Sequence, residues 1–175
     1  IEIDANGFVV TDPNQRTADP HILAVGDVAG EPMLAHKASY QARIAVDTVI
    51  GNSSDSGKRA IPAVVFTDPE IAWVGLTEKD AKAADRPYRA AVYPWAASGR
   101  AHTLGRPEGL TKWLVDPETD QLLGCGIVGA GAGELISEAV LAIDQKCTAR
   151  DVGDAIHPHP TLAETLGNAA DVYLG

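Results

Sequence analysis

The chain has 175 residues, room for one well-packed domain and an appendage, and its 45% hydrophobic and 22% charged content is that of a globular chain rather than a disordered one. A formal net charge of −10 and a pI near 4.8 argue against a nucleic-acid partner, which would need a basic face for its phosphates. No apolar run approaches the roughly 20 residues of a membrane span, and Ile1-Glu-Ile-Asp4 has neither the basic start nor the apolar centre of a signal peptide.

In chain order, Ile3 to Val10 reads as strand, Asn6-Gly7 turn, strand, so with no initiating Met the chain is expected to start inside a longer protein. Residues 1 to 30 end in an apolar strand, His21-Ile-Leu-Ala-Val25, followed by Gly26-Asp27. A helix is predicted from about Met33 to Ile50, with Ala35, Ala38, Ala42, Ala45, Val46 and Val49 on one side. Gly51-Asn-Ser-Ser-Asp-Ser-Gly57 has the composition of a helix stop and a flexible link. Three segments follow: 1–50, a linker over 51–60, and a second domain over 61–175.

In that second domain, Ala63 to Thr67 and Ile71 to Leu76 are strands broken by Asp68-Pro69, and Thr77 to Ala84 is a short helix opened by a Thr-x-x-Asp cap. Tyr88 to Tyr93 is a third strand. Leu110 to Val115 and Gln121 to Val128 form a hairpin around Asp116-Pro-Glu-Thr-Asp120. Leu135, Ile136, Ala139, Val140 and Ile143 have helical spacing, as do Leu162, Leu166, Ala169 and Tyr173. Strands first and helices afterwards predict an α+β domain, an antiparallel sheet covered by helices on one face.

Two stretches carry chemistry. Gly26-Asp27 puts a carboxylate at the end of an apolar strand, where α/β sheets bind ligands. Gly26 permits close backbone approach, Asp27 offers an acceptor to a hydroxyl, and the next helix turns its free N–H groups to the same crevice. The competing reading is a surface turn in which Asp27 merely caps the backbone.

The other stretch is Ile156-His-Pro-His-Pro-Thr-Leu-Ala-Glu164. Its prolines bias each preceding His away from helical backbone and hold the imidazoles stiffly at a helix start. Glu164 lies five residues beyond His159. A carboxylate on one ring nitrogen fixes the tautomer and raises the basicity of the other, as a general base requires. Equally, Thr161-x-x-Glu164 matches a capping box, in which Glu164 would bind backbone N–H groups and never meet His159.

Gly124-Cys-Gly-Ile-Val-Gly129 formally satisfies a dinucleotide fingerprint with Asp144 downstream, but Ile127 and Val128 continue a hairpin strand and Asp144 falls late in a helix. That match is set aside. His21, His36 and His102 have no metal-ligand partners at useful spacing, and no metal site is expected. Cys125 and Cys147 lack CxxC-type spacing and read as small core residues in a reducing compartment.

Thr17…Ala24-Val-Gly-Asp27 resembles the second FAD motif of the pyridine nucleotide–disulfide oxidoreductases, and Pro32-Met-Leu-Ala-His-Lys-Ala38 resembles its form in dihydrolipoamide dehydrogenases. After Ala38 the likeness loosens at Ser39-Tyr-Gln-Ala42. The His-Pro-His-Pro-Thr-Leu-Ala-Glu string resembles the active-site signature of the same family. Asp68-Pro-Glu-Ile-Ala-Trp-Val-Gly75 and Trp95-Ala-Ala-Ser-Gly-Arg100 resemble its interface domain.

The resemblance implies that residues 1–50 end an α/β FAD-binding domain and that 61–175 form the dimerisation domain. It implies that Asp27 binds the ribityl chain of FAD, with Gly26 in the same cofactor site, and that Met33, Leu34 and Ala35 line the pyrimidine side of the flavin, with the Ala35 N–H near O2. His159 would be the catalytic base, Glu164 its orienting partner and His157 a neighbour without a direct proton role, with a cis His159–Pro160 bond. The implied whole is an NAD-dependent, FAD-containing cytoplasmic homodimer whose partner is the lipoyl-bearing acyltransferase of a 2-oxo acid dehydrogenase complex. The 175 residues hold no Cys-x4-Cys pair, first FAD fingerprint or NAD domain, so alone they are expected to be inactive. The alternatives are a glutathione reductase-like enzyme of the superfamily and a non-catalytic dimerisation or docking module.

Overall fold

The computed structural model describes residues 1–52 and 59–175; most of the expected link at 51–57 lies outside the described residues. The chain divides into two compact units, Ile1–Arg59 and Ala60–Gly175.

The first unit contains one long helix, α1 (Ala35–Ile50), closed by Gly51 in the left-handed conformation. Before it lie turns rather than strands. The Asn6-Gly7 turn forms as expected, with the Asp4 carboxylate accepting the Asn6 and Phe8 N–H groups and a single bridge pairing Ile3 with Val9. The predicted strand His21–Val25 does not form: only Leu23 is paired, in one bridge to Arg16, and residues Gly26–Ala29 make a 3-10 turn. A strand needs a ladder of neighbours, and among the described residues the Arg16–Leu23 bridge is not extended into one. Ala24 and Ile44 are its buried apolar side chains.

The second unit is the expected α+β domain. Its strands β1 (Ala63–Val65), β2 (Glu70–Gly75), β3 (Arg89–Pro94), β4 (Leu110–Val115) and β5 (Leu122–Gly129) form one antiparallel sheet in the order β1-β2-β5-β4-β3. Between them lie α2 (Glu78–Ala83), capped by the Thr77 hydroxyl, and α3 (Gly99–Thr103). After the sheet come α4 (Ala132–Asp144), α5 (Ala149–Gly153) and α6 (Glu164–Leu174). Strand register puts Ala72, Val74, Cys125, Ile127, Thr111, Trp113 and Ala91 on one buried face. Helix α4 covers it over β2 and β5, and α6 over β3 and β4. On the opposite face Ile71, Trp73 and Val92 stay exposed.

Two glycines of the apparent dinucleotide fingerprint, Gly124 and Gly129, serve this packing. They lie in β5, where a Cβ on Gly124 would strike the Leu76 carbonyl and one on Gly129 the Trp95 ring. Asp144, at the end of α4, accepts the Ala60 N–H at 2.7 Å.

Two buried tryptophans tie the start of α6 to the sheet. A buried indole N–H must find an acceptor. Trp113 Nε1 donates to the Leu166 carbonyl at 3.0 Å. Trp95 Nε1 donates to Thr111 Oγ1 at 3.0 Å, Thr111 and Thr165 hydroxyls meet at 2.8 Å, and Thr165 Oγ1 donates to the Leu162 carbonyl at 2.7 Å. Each hydroxyl has one proton. Thr165 gives its proton to Leu162, so Thr111 donates to Thr165 and the relay runs one way, from Trp95 to the turn before α6. At the other end of α6, the Tyr173 hydroxyl donates to Asp120 at 2.6 Å and Arg89 stacks 4.5 Å from the Tyr173 ring centre.

Thr165→Val keeps the shape and strands the Thr111 hydroxyl proton in the core. Its expected cost is about 1–3 kcal/mol in denaturant unfolding, against a smaller loss for Thr165→Ser, which keeps the relay. A Val variant as stable as the Ser variant would mean the relay contributes nothing.

Candidate active site

The two stretches singled out in the sequence lie in different units. In the first, Gly26 sits at the bend with φ of 76°, a region that favours glycine. A Cβ there would also press on Ala38 of α1 at 3.1 Å. Two side chains one helical turn apart on α1 hold the bend: Gln41 Oε1 accepts the Gly26 N–H at 2.7 Å, and the buried Lys37 ammonium donates to the Gly26 carbonyl at 3.1 Å and to the Gly30 carbonyl. Sequence reasoning missed both residues. Their i, i+4 spacing places them on one face, but nothing in it says that the face looks back at the elbow.

With the elbow held from behind, the Asp27 carboxylate is not needed as a cap. Its backbone carbonyl accepts the Gly30 N–H, while its side chain is exposed and makes no hydrogen bond among the described residues. Met33 is exposed, Leu34 is the residue before α1, and Ala35 begins that helix, whose first backbone N–H groups have no partner in the helix. The donor set is an open carboxylate beside a helix start. It suits a hydroxylated chain at Asp27 and an electron-rich carbonyl oxygen at the helix terminus. The elbow therefore fits the ribityl–flavin portion of FAD chemically.

In the second unit, the loop from Asp154 to Ala163 joins α5 to α6, and the His159–Pro160 bond is cis. His159 Nδ1 lies 2.8 Å from Glu164 Oε1, and Glu164 Oε2 accepts the Thr161 N–H at 2.6 Å. Glu164 thus meets His159 with one oxygen, against the capping-box reading, and makes that reading's backbone contact with the other. The capping box is only half made: the Thr161 hydroxyl donates to the Pro158 carbonyl at 2.7 Å, and α6 starts without a side-chain cap. The Thr161 N–H, and after it the His159 hydrogen bond, hold the Glu164 carboxyl below the usual carboxylate range. Glu164 is ionised at neutral pH, so the proton on the contact belongs to His159 Nδ1, and Nε2 carries the free lone pair. The His159 side chain is 81% exposed and the Glu164 side chain 25%. An imidazole that open, with its tautomer set from behind, can take a proton from an approaching acid.

His157 takes a different place. Its side chain is 11% exposed, with Nδ1 3.0 Å from the Ala155 carbonyl and Nε2 2.8 Å from Glu138 Oε1 on α4. Glu138 was not foreseen, since 19 residues separate it from His157. Cys125 is buried and its thiol is pushed far up by burial, which leaves it inert as a nucleophile. Among the described residues there is no cluster of metal-ligating side chains.

Comparison with known proteins follows the same division. Residues 61–170 match the dimerisation domain of the pyridine nucleotide-disulphide oxidoreductases, and residues 1–42 match the pyridine nucleotide-disulphide oxidoreductase domain. The chain is 46% identical over all 175 residues to the dihydrolipoyl dehydrogenase of Vibrio parahaemolyticus, covering 37% of that protein. It is 45% identical over 171 residues, 98% of the chain, to that of Thermus scotoductus, again covering 37% of the relative. Among solved structures, LpdA from Mycobacterium tuberculosis superposes with a TM-score of 0.93 at 27% identity, over 100% of this chain and 38% of that one. The HOCl-induced flavoprotein disulfide reductase RclA from Escherichia coli gives 0.88 at 26%, over 98% of this chain and 40% of its own. The chain spans a little over a third of the curated relatives it matches. It belongs to the pyridine nucleotide-disulphide oxidoreductase family.

Proposed function

We propose that this chain supplies the proton-handling pair of a dihydrolipoyl dehydrogenase, with His159 as the base and Glu164 as its orienting partner. The observation that carries the reading is the 2.8 Å contact between His159 Nδ1 and a Glu164 carboxylate fixed by the Thr161 N–H, inside the His-Pro-His-Pro-Thr-Leu-Ala-Glu string. The identity of 44–46% to dihydrolipoyl dehydrogenases over the whole chain supports the substrate.

In this reading the Nε2 lone pair of His159 removes one thiol proton from dihydrolipoamide, and the imidazolium so formed stands beside the thiolate. Glu164 stabilises that imidazolium across Nδ1. The thiolate then attacks a redox disulfide that these 175 residues do not hold, forming a mixed disulfide as the old S–S bond breaks and one cysteine leaves as thiolate. The second substrate thiolate closes the lipoamide ring and releases the other cysteine. FAD, when bound, would supply the two-electron acceptor chemistry between that disulfide and NAD. Asp27 would accept a hydrogen bond from the ribityl chain, and Met33, Leu34 and the Ala35 N–H would border the ring, on an elbow that Lys37 and Gln41 hold in shape. The second unit would pair two copies as a two-fold homodimer, in which such an interface is self-complementary. The lipoyl-bearing acyltransferase of a 2-oxo acid dehydrogenase complex is the proposed partner, and the cytoplasm the proposed compartment. No helix of the described residues is long and apolar enough to cross a membrane.

In the holoenzyme, His159→Gln is expected to lower kcat for dihydrolipoamide about 10²–10⁴-fold, the usual worth of a positioned base. Glu164→Gln should lose nearly as much. If the new amide oxygen faces the Thr161 N–H, its NH2 donates to Nδ1 and drives the ring proton onto Nε2; turned over, two donors collide at Thr161. Steady-state kinetics with a panel of disulfide and dithiol substrates checks both variants. A Glu164→Gln enzyme within threefold of wild type, or a preference for glutathione, would sink the assignment.

Glu164 also makes a pH prediction. Its folded-state carboxyl is held low, so its stabilising contribution is complete above the ordinary glutamate range and is lost as pH falls through the lowered folded value. The difference in unfolding free energy between wild type and Glu164→Gln is expected to shrink as pH falls below the ordinary glutamate range. Denaturant titrations across pH measure it.

A further inference from the structure

The two histidines of the His-Pro-His-Pro segment have unlike surroundings. Where His159 faces solvent, the ring of His157 lies on Gly167 of α6: a Cβ at Gly167 would come within 3.1 Å of its Cε1 and Nδ1. The seat exists because position 167 has no side chain. Both ring nitrogens are then engaged, Nδ1 by the Ala155 carbonyl and Nε2 by Glu138 of α4. A carbonyl cannot donate, so Nδ1 bears a proton. The contact with Glu138 holds a second proton, on the ring or on the carboxyl. Charge-assisted bonds of this kind are shorter and stronger than neutral ones. The other carboxylates around the polar hollow beside the ring are Glu164 and Asp171, both on α6.

We propose that His157 and Glu138 are positioning residues, a clamp that fixes the entry of the Pro158–His159 turn so that His159 meets Glu164. The loop is attached differently on its two sides. Downstream of His159, it is tied by Thr161, through its N–H to Glu164 and its hydroxyl to the Pro158 carbonyl. Upstream, Ile156 is fully exposed and Pro158 has no N–H to give. His157 is the residue that secures that side, holding α4, the end of α5 and α6 at once. A base works only if its approach is fixed, and displacements near 1 Å cost large factors in rate. The catalytic part of this inference rests on the reading of His159 as base; the structural part does not.

The test uses the holoenzyme with Glu138→Ala, Glu138→Gln and His157→Gln. The side-chain amide introduced by Glu138→Gln can donate to Nε2 while Nδ1–H keeps Ala155, so that variant preserves the clamp with a neutral ring. Deuterium uptake by peptides covering 156–164 is expected to speed about tenfold or more in Glu138→Ala and His157→Gln, the loss of one charge-assisted bond, with β4–β5 peptides unchanged and Glu138→Gln near wild type. Turnover of dihydrolipoamide should follow the same order, falling roughly tenfold in kcat with KM unaltered. Electron transfer from NADH to ferricyanide, which needs no thiol base, should be untouched. Exchange within twofold of wild type in Glu138→Ala and His157→Gln overturns the clamp, as does Glu138→Gln behaving like Glu138→Ala. A wild-type enzyme that does not oxidise dihydrolipoamide counts against the assigned activity alone, and the exchange data still decide the clamp.

Discussion

The His-Pro-His-Pro segment depends on one constraint: the turn before α6 cannot move independently of the sheet. A surface loop carrying an exposed imidazole would ordinarily sample many positions, because little apolar area is buried to hold it. Here the Leu162 carbonyl and the first turn of α6 receive hydrogen bonds that originate on two fully buried indoles. Leaving an indole N–H or a threonine hydroxyl unpaired in that interior costs on the order of 1–3 kcal/mol each, so the relay and the position of α6 are set together. Glu164 is the first residue of that helix. Its carboxylate is therefore aimed by the core, and His159 is aimed by the carboxylate.

Glu164 answers two demands with two oxygens. A backbone N–H on one oxygen keeps the carboxyl ionised and fixes its rotamer, which leaves the other as a dependable acceptor for Nδ1. Had Glu164 bonded only to His159, a surface pair of this exposure would add little, since solvent screens it and side-chain entropy opposes it. The Thr161 N–H removes most of that entropy cost in advance.

The regular elements of the second unit were legible from period and punctuation. Alternation placed β2, β4 and β5 to within a residue or two, and helical spacing placed α4 and α6. Two short helices escaped. α5 had a readable sign, a Thr148-x-x-Asp151 capping box that the structure completes, but five residues carry no period. The strand at 21–25 failed for the opposite reason: its residues suit a strand, and among the described residues only one bridge pairs with them. Around the site, local spacing offered Glu164 a partner in His159 or in the backbone, and could not reveal that it takes one contact of each kind, because a one-dimensional pattern does not allocate two oxygens. Glu138 was invisible, since its contact with His157 is made by folding α4 against the loop.

The elbow of the first unit and the loop of the second follow the same economy of means. In each, the residue read as chemically active is exposed, and the bend that presents it is held by neighbouring residues, from the helix behind at the elbow and from the helix start and the loop itself at His159. Lys37 and Gln41 bind the backbone of Gly26 so that Asp27 is free, while Glu164 and Thr161 bind the turn so that Nε2 of His159 is free. An active side chain that must also cap its own turn is occupied when a ligand arrives, and must break that bond before it can act. Moving the structural hydrogen bonds onto neighbours removes the conflict. It also means that the residues most sensitive to loss of shape are polar and are other than the ones they serve.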